Sequence, residues 1–184
     1  MGSQISQYRA RMKKSRECGS CSLCCRLLQI KILDKPAGEW CKHCDPGHGC
    51  KIHAVKPDIC KTYQCQWLLG RGDDEWYPLK SKIIMDFTRV DNNDLVMRFT
   101  VDPGFPGRWR EEPYHSFIRD AALKGLETKH WRTIVSINGK WTLILPKTEV
   151  PYRAGLTVEM PNGEWGFVAT KDYAAAVGLA RRLR

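Results

Sequence analysis

The placement of the cysteines constrains this chain more than any other feature. All nine cysteines lie between Cys18 and Cys65, and the remainder of the 184-residue chain contains none. Oxidised secreted domains usually carry an even number of cysteines behind a signal peptide. This chain has an odd number and no long apolar stretch near its start, so we expect no signal peptide. The pattern favours reduced thiols that bind metal over a disulfide framework.

Length and composition indicate one domain, or one domain with a smaller attached module. The chain has 184 residues, of which 42% are hydrophobic and 27% are charged, and domains usually span about 100–200 residues. No apolar run approaches the roughly 18 residues that a membrane-crossing helix needs. The sequence therefore predicts a folded cytoplasmic protein without a membrane segment.

The positive charge of the chain is concentrated in its first part. The formal net charge is +10, and basic residues such as Arg9, Lys13 and Arg16 crowd the N-terminal segment. A basic patch can hold nucleic acid, although a solvated basic face is the commoner explanation. Thiolates bound to metal would also lower this charge. Nucleic-acid binding is therefore an alternative and not the leading hypothesis.

The composition changes along the chain and divides it into three parts. We predict a basic N-terminal arm at residues 1–17, a cysteine-rich metal-binding module at residues 18–70 and an α+β domain at residues 80–184. The module has few large apolar side chains, and modules this small need a cross-link such as a disulfide or a bound metal in addition to a hydrophobic core. Structural zinc contributes about 10–16 kcal/mol in model fingers, so we expect metal to fold this module.

The third part alternates apolar and polar residues as β-strands do. Two apolar series predict a pair of strands, and Asn-Gly pairs predict two hairpins, at residues 131–145 and 156–168. The series are Ile83, Met85 and Phe87, and then Leu95, Met97, Phe99 and Val101; the turns are Asn138-Gly139 and Asn162-Gly163. These patterns predict an antiparallel sheet.

Two helices complete the predicted α+β fold. The first begins near Pro113 and the second runs from about Asp172 to the end of the chain. Proline suits the first turn of a helix, and apolar residues recur at helical spacing in both segments. The predicted buried side of the first helix comprises Phe117, Ile118, Ala121, Ala122 and Leu126.

The spacing of the cysteines is typical of thiolate metal sites. Cys18/Cys21 and Cys41/Cys44 are C-x2-C pairs, the spacing at which two thiolates face one ion. The adjacent Cys24 and Cys25 differ, because neighbouring side chains diverge and rarely chelate one ion together. An interleaved pair of metal sites is therefore more natural than two sequential fingers.

The ligand types in the cluster are compatible with more than one metal. His43, His48 or His53 could complete a site of three thiolates and one imidazole, with His53 the strongest candidate. Zinc suits such ligands, but thiolates also hold iron–sulfur clusters. The opening C-x2-C-x2-C overlaps a bacterial ferredoxin motif, although the expected fourth cysteine and its proline are missing.

The cluster resembles a known family. The opening run reads Cys-x2-Cys-x2-Cys-Cys from Cys18, and the closing run reads Cys-Lys-Ile-His-x2-Lys-Pro-x2-Cys-Lys-x-Tyr-x-Cys from Cys50. Both runs are similar to the YkgJ-type family of cysteine-cluster proteins, described as zinc- or iron-chelating. The resemblance implies a set of metal ligands, namely Cys18, Cys21, Cys24, Cys25, Cys41, Cys44, Cys50, Cys60 and Cys65. His53 stands where the family often has tyrosine, which adds a tenth candidate ligand. The resemblance covers about a quarter of the chain and implies a metal site without naming a reaction.

Outside the cluster, residues that could carry catalysis are few. His115 and His130 are single histidines, and Glu111 and Glu112 precede a helix, where acidic residues are expected from the dipole. No phosphate-binding glycine loop, nucleophile elbow or metalloprotease motif is present, so an enzymatic role is not predicted.

The leading hypothesis is a cytoplasmic protein whose cysteine cluster chelates zinc, as two ions, for a mainly structural purpose. The α+β part would supply a surface for an unknown protein partner. One alternative is an iron–sulfur protein that acts in electron transfer or as an accessory oxidoreductase. Another is a zinc-containing nucleic-acid-binding protein, whose affinity would fall steeply with salt.

Overall fold

A computed structural model describes residues 16–90, 94–152, 157–159 and 166–168. Within these ranges, no helix has the length and apolar character needed to span a membrane. The predicted basic arm is described only at its last two residues. The predicted C-terminal helix from Asp172 and the Asn162-Gly163 turn lie outside the described residues.

Short elements make up the cysteine-rich part. Its helices are α1 (Leu23–Leu27) and α2 (Asp58–Thr62), its two-stranded ribbon is β1 (Cys44–Asp45) with β2 (Gly49–Cys50), and single 3-10 turns occupy Lys31–Leu33 and His53–Val55. Several of its apolar side chains are solvent-exposed, including Ile32 (75%), Val55 (77%) and Ile59 (59%). The segment therefore has little hydrophobic core of its own.

A five-stranded sheet forms the centre of the molecule. Its strands lie in the order β3 (Ile83–Val90), β4 (Asp94–Val101), β5 (Arg132–Ile137), β6 (Lys140–Ile144) and β7 (Glu149–Tyr152). A 3-10 turn at Asp74–Trp76 and the short helix α3 (Pro78–Ser81) precede β3. Between β4 and β5 come a 3-10 turn at Arg108–Arg110 and the long helix α4 (Tyr114–Thr128). A separate antiparallel pair, β8 (Thr157–Glu159) and β9 (Gly166–Val168), follows.

The α+β class is confirmed, but the prediction of an entirely antiparallel sheet was wrong. Strands β4 and β5 run parallel, with Phe99 opposite Val135, whereas the other neighbouring strands of the large sheet are antiparallel. Parallel neighbours need a long crossover connection. The segment that contains α4 provides it, so β5 enters the sheet in the same direction as β4.

The main core lies on the side of the sheet that faces α4. Alternate residues of a strand point to the same face, and Met85, Met97 and Phe99 accordingly meet Ile118 of the helix. Aromatic side chains from the connecting segments close this core: the Trp76 and Tyr114 rings lie 5.1 Å apart, edge to face. The predicted strand faces are therefore confirmed.

Helix α4 follows Pro113 as predicted, although its buried side differs in detail. Ile118, Ala121 and Ala122 are buried as expected, whereas Phe117 and Leu126 are only half-buried. Tyr114 and Gly125 are buried as well. A Cβ atom at Gly125 would lie 2.5 Å from the carbonyl oxygen of Trp131, so the helix approaches this backbone at a distance that only glycine permits.

The hairpin between β5 and β6 has the predicted turn. Asn138 and Gly139 have φ angles of +48° and +72°, and a type I′ turn requires positive φ at both central positions. The turn therefore sets the register in which Ser136 lies opposite Trp141.

The cysteine-rich part docks on the opposite face of the sheet from α4. Leu23 and Leu27 of α1 are buried against Ile84 of β3. The Arg26 Nη1 atom lies 2.9 Å from Oδ2 of the buried Asp102, and the Gln66 N–H donates to the Met85 carbonyl at 2.7 Å. The docking thus combines apolar burial, an ion pair and a backbone hydrogen bond.

Candidate metal centre

The two C-x2-C segments fold into tight turns. The Cys21 N–H donates to the Cys18 carbonyl and the Cys44 N–H donates to the Cys41 carbonyl, each at 2.9 Å. Turns of this kind allow two thiolates to face one ion. Both segments therefore turn tightly between their two cysteines, and metal binding at these turns stays a prediction.

The second turn lies against helix α1. The Cys41 N–H donates to the carbonyl of Cys25 at 2.9 Å, and the side chains of Cys25 and Cys44 are close enough to influence each other's pKa. Cys24 and Cys25, which are neighbours on α1, also influence each other's pKa. Four cysteines from two separate segments are therefore brought together at the end of this helix.

The thiols in this cluster influence one another's protonation. The hydrogen bond from Cys25 lowers the pKa of Cys24, and the same bond, together with burial, raises the pKa of Cys25. Burial, followed by the charge of Cys25, raises the pKa of Cys44 to about 11. Without an added positive charge, most of these groups therefore stay protonated near neutral pH.

The remaining cysteines extend the cluster on two sides. Burial raises the pKa of Cys18, and the charge of Cys65 adds to the effect. Burial likewise raises the pKa of Cys60, where the next contributions come from Cys25, Cys41 and Cys50. Cys18 is therefore coupled to Cys65, and Cys60 is coupled to Cys41 and Cys50, while Cys25 acts on both.

The donor chemistry suits a thiophilic ion, because soft thiolate ligands select zinc and iron. All nine cysteines are free thiols. In the described part of the chain, however, no three or more Cys, His, Asp or Glu side chains are arranged so that they could hold a metal ion.

The three histidines of the module lie at its surface or near it. His53 is exposed, and its Nε2 atom lies 3.1 Å from Nζ of Lys56. His48 is exposed beside Asp45, with 3.6 Å between Nδ1 and Oδ1, and His43 is half-buried. The contact made by His53 is therefore with the side-chain amino group of a lysine.

Lys35 is a member of the site that the sequence did not reveal. The residue is only 5% exposed, and its ammonium donates to the carbonyls of Arg26 and Leu28 at 2.6 and 2.5 Å. Burial lowers the pKa of Lys35, whereas ionised thiols at Cys41, Cys25 and Cys24 act in the opposite direction. A lone lysine between two turns carries no sequence signal of burial, because lysine is almost always solvated.

Two lysines and two aromatic residues near the closing cysteines have different surroundings. Lys61 lies at the surface and pairs with Asp58 at 3.0 Å. The charge of Lys56 offsets part of the rise that burial causes in the pKa of Cys18 and Cys60. Tyr63 packs with the apolar group that includes Cys21, Cys24 and Cys65. Trp67 packs in the main core, with its ring 4.8 Å from that of Tyr77.

The residues that we considered as catalysts outside the cluster have ordinary structural contacts. The Arg119 Nε atom donates to Nε2 of His115 at 3.3 Å. Glu111 forms an ion pair with Arg108 at 2.7 Å. Glu112 and His130 are exposed. These contacts do not assemble a nucleophile with a base.

No protein-family model matches the chain, and searches of the curated proteins and of the solved structures found no match either.

Proposed function

We propose that the cysteine-rich module binds zinc, as two ions, and that the metal holds the module in its folded form. The observation that carries this proposal is the buried ammonium of Lys35 beside Cys24, Cys25 and Cys41. A buried charge is costly unless an opposite charge lies near it. Thiolates bound to metal would supply that charge, since metal binding deprotonates thiols and four thiolates around Zn²⁺ leave a net charge of −2.

The cysteines divide naturally between two ions. Cys18, Cys21 and Cys65 would serve one ion, and Cys41, Cys44 and Cys60 would serve the other. The adjacent pair on α1 would be shared, with Cys24 directed to the first group and Cys25 to the second. The turns within each C-x2-C segment and the mutual effects on thiol pKa support this division. Cys50 and His53 are the remaining candidate ligands. Binding of each ion would have to bring the cysteine side chains of its group closer together.

A structural role for the metal is consistent with the solvent exposure of several apolar side chains in the module. Because Ile32, Val55 and Ile59 are exposed, hydrophobic burial within the module contributes little to its stability. Structural zinc contributes about 10–16 kcal/mol in comparable small modules. We further propose that the sheet-bearing part of the chain presents the surface on which a protein partner binds.

The first experiment is metal analysis by plasma mass spectrometry, with an optical spectrum, on protein purified anaerobically without a tag. We expect about two zinc ions per chain and no visible absorbance, the number that two thiolate sites require. Iron with matching sulfide and absorbance near 400 nm would overturn the zinc assignment and support an iron–sulfur protein. Protein that is folded and free of metal would overturn both.

A matched pair of variants tests the ligand assignment. Cys44→Ser removes a thiolate from the second group, and we expect it to lose about one metal ion per chain and to become prone to aggregation. His115→Ala changes a partly exposed residue outside the module and should keep the wild-type metal content. Wild-type stoichiometry in Cys44→Ser would contradict the role assigned to Cys44.

A further inference from the structure

A cavity of about 990 Å³ lies between the cysteine-rich part and the sheet. Leu28, Ile59 and Tyr63 line it from the cysteine-rich side. Its floor is the face of the sheet that points away from Phe99 and the α4 core. Cavities of about 300–1,000 Å³ are typical of small-molecule sites, so the size permits a ligand larger than a single ring.

The charged groups on this floor neutralise each other. Arg98 binds Asp86 with two hydrogen bonds, from Nε to Oδ1 at 3.0 Å and from Nη2 to Oδ2 at 2.8 Å. The Tyr63 hydroxyl donates to the same Oδ2 atom at 3.1 Å. Since the Arg98–Asp86 pair is internally balanced, it does not require a ligand of either charge. Lys140 also lines the cavity, but it is exposed to solvent.

One row of residues crosses four strands along this floor. Thr100 of β4 lies opposite Ser136 of β5, Ser136 lies opposite Trp141 of β6, and Trp141 lies opposite Tyr152 of β7. All four residues line the cavity. The row therefore places two hydroxyl-bearing side chains directly beside two aromatic rings.

The hydroxyl half of the row is buried. Thr100 and Ser136 are 6% and 5% exposed, and the Thr100 Oγ1 atom has no hydrogen-bond partner among the described residues. A buried polar group without a partner costs about 1–3 kcal/mol. A bound molecule with a donor or acceptor at this end of the cavity would supply the missing bond after a small rotation of the side chain.

The aromatic half of the row offers a flat surface. The Trp141 and Tyr152 rings are stacked, with centroids 5.5 Å apart and an interplanar angle of 29°. Trp141 is only partly buried. Aromatic side chains of this kind bind other planar rings by stacking, and the strength is similar for different heteroaromatic rings.

We propose that this cavity binds a neutral, planar heteroaromatic molecule that carries a polar substituent. Its ring lies against Trp141, and its polar edge bonds to Ser136 and Thr100. The balanced Arg98–Asp86 pair favours a neutral ring over a charged one, and the volume leaves room for the substituent. This site is separate from the thiols and does not depend on the identity of the metal.

The test uses adenosine and riboflavin as probes on the full-length, metal-loaded protein. Both are neutral planar heteroaromatic molecules with polar substituents, and ribose serves as the control without a ring. We expect saturation-transfer NMR signals from the ring protons of at least one probe, quenching of tryptophan fluorescence and no signal from ribose. The absence of binding by both probes would overturn the proposal.

Three variants locate the binding. We expect Trp141→Leu to weaken it by about tenfold or more, because stacking on one aromatic side chain is lost. Ser136→Ala should weaken it about fivefold through loss of a hydrogen bond. Thr142→Val is the matched control, since Thr142 lies next to Trp141 but points to the other face of the strand, and it should leave binding unchanged.

Two results beyond a lack of binding would also contradict the proposal. One is unchanged affinity in Ser136→Ala, which decides the matter if Trp141→Leu fails to fold. The other is a set of nuclear Overhauser contacts between the Trp141 ring and residues 169–184 in the unliganded protein, because the chain itself would then occupy the cavity.

Discussion

At the scale of single residues, the charges of two buried side chains, Asp86 and Lys35, are compensated in different ways. Asp86 lies within a bidentate ion pair with Arg98 and also accepts a hydrogen bond from Tyr63. The ammonium of Lys35 is held by backbone carbonyls. Burial lowers its pKa, whereas ionised thiols and Glu39 raise it. The first charge is balanced by an ion pair within the sheet, whereas the compensation of the second depends in part on the state of the cysteines.

Replacement of Lys35 tests that dependence. Lys35→Met removes the cation and leaves two carbonyls without a donor, so we expect weaker zinc binding, by about tenfold, and a loss of about 1–3 kcal/mol in the free energy of unfolding. Competition with a chromophoric chelator measures the first quantity and urea denaturation the second. The control is Lys31→Met, which changes an exposed cation nearby. Equal zinc affinity in both variants would show that Lys35 does not compensate thiolate charge.

Replacement of Asp86 tests the buried ion pair. Asp86→Asn leaves the Arg98 guanidinium without its counter-charge, and breaking a buried pair typically costs about 3–5 kcal/mol. The matched control is Asp58→Asn, whose pair with Lys61 is largely exposed and should contribute little because solvent screens it. Thermal and urea unfolding of the two variants measure the difference. Similar stability of both variants would contradict the importance assigned to Asp86.

The sequence predicts the cysteine turns of the candidate metal centre, but it does not predict the burial of Lys35 or Asp86. The cysteine spacing is local, so the turns at Cys18–Cys21 and Cys41–Cys44 could be predicted from it. The burial of Lys35 and Asp86 depends on partners that are distant in the chain or on backbone carbonyls. Residue type alone places lysine and aspartate in solvent, and nothing in their immediate neighbours indicates otherwise.

At the scale of elements, the pattern of the sequence predicts the faces of the strands but not their direction. Alternation shows that Met97 and Phe99 point to one side, and this is confirmed. The same alternation is compatible with parallel or antiparallel pairing. The β4–β5 pairing follows from the long crossover through α4, whereas the β5–β6 hairpin follows from its two-residue turn.

Helix α4 makes a close contact that one methyl group would disturb. Alanine normally stabilises a helix by about 1 kcal/mol relative to glycine, but a Cβ at Gly125 would lie 2.5 Å from the Trp131 carbonyl oxygen. We therefore expect Gly125→Ala to lower the free energy of unfolding by about 2 kcal/mol, because crowding in a packed region costs more than the propensity gain. Lys124→Ala, at the exposed neighbouring position, should have little effect in the same urea titration. A stabilised Gly125→Ala variant would contradict this account.

At the scale of the whole molecule, the cysteine-rich part and the sheet share buried contacts. Leu23 and Leu27 lie against Ile84, and the Arg26–Asp102 ion pair joins the same two regions. Residues that were predicted as separate segments therefore stabilise each other. The change in composition along the chain indicates where the cysteine-rich part ends, but it does not indicate which residues pack against the sheet.

This coupling predicts the consequence of metal removal. If zinc holds the cysteine-rich part, a chelator should lower the melting temperature of the entire chain in one transition, because Trp67 and Trp76 report on the sheet core. Tryptophan fluorescence and far-ultraviolet circular dichroism should therefore give the same midpoint. The control is the same chelator saturated with zinc beforehand. Two separate transitions would show that the parts unfold independently.

The burial of Leu23 and Leu27 under Ile84 also has a consequence for synthesis on the ribosome. Translation delivers the two leucines long before it delivers the strand that covers them. During that interval the nascent segment exposes apolar surface of the kind that chaperones recognise and that promotes aggregation. Ribosomes paused between Cys65 and Ile84 would hold the segment in this uncovered form, so the rate of elongation across that stretch should influence the yield of folded protein.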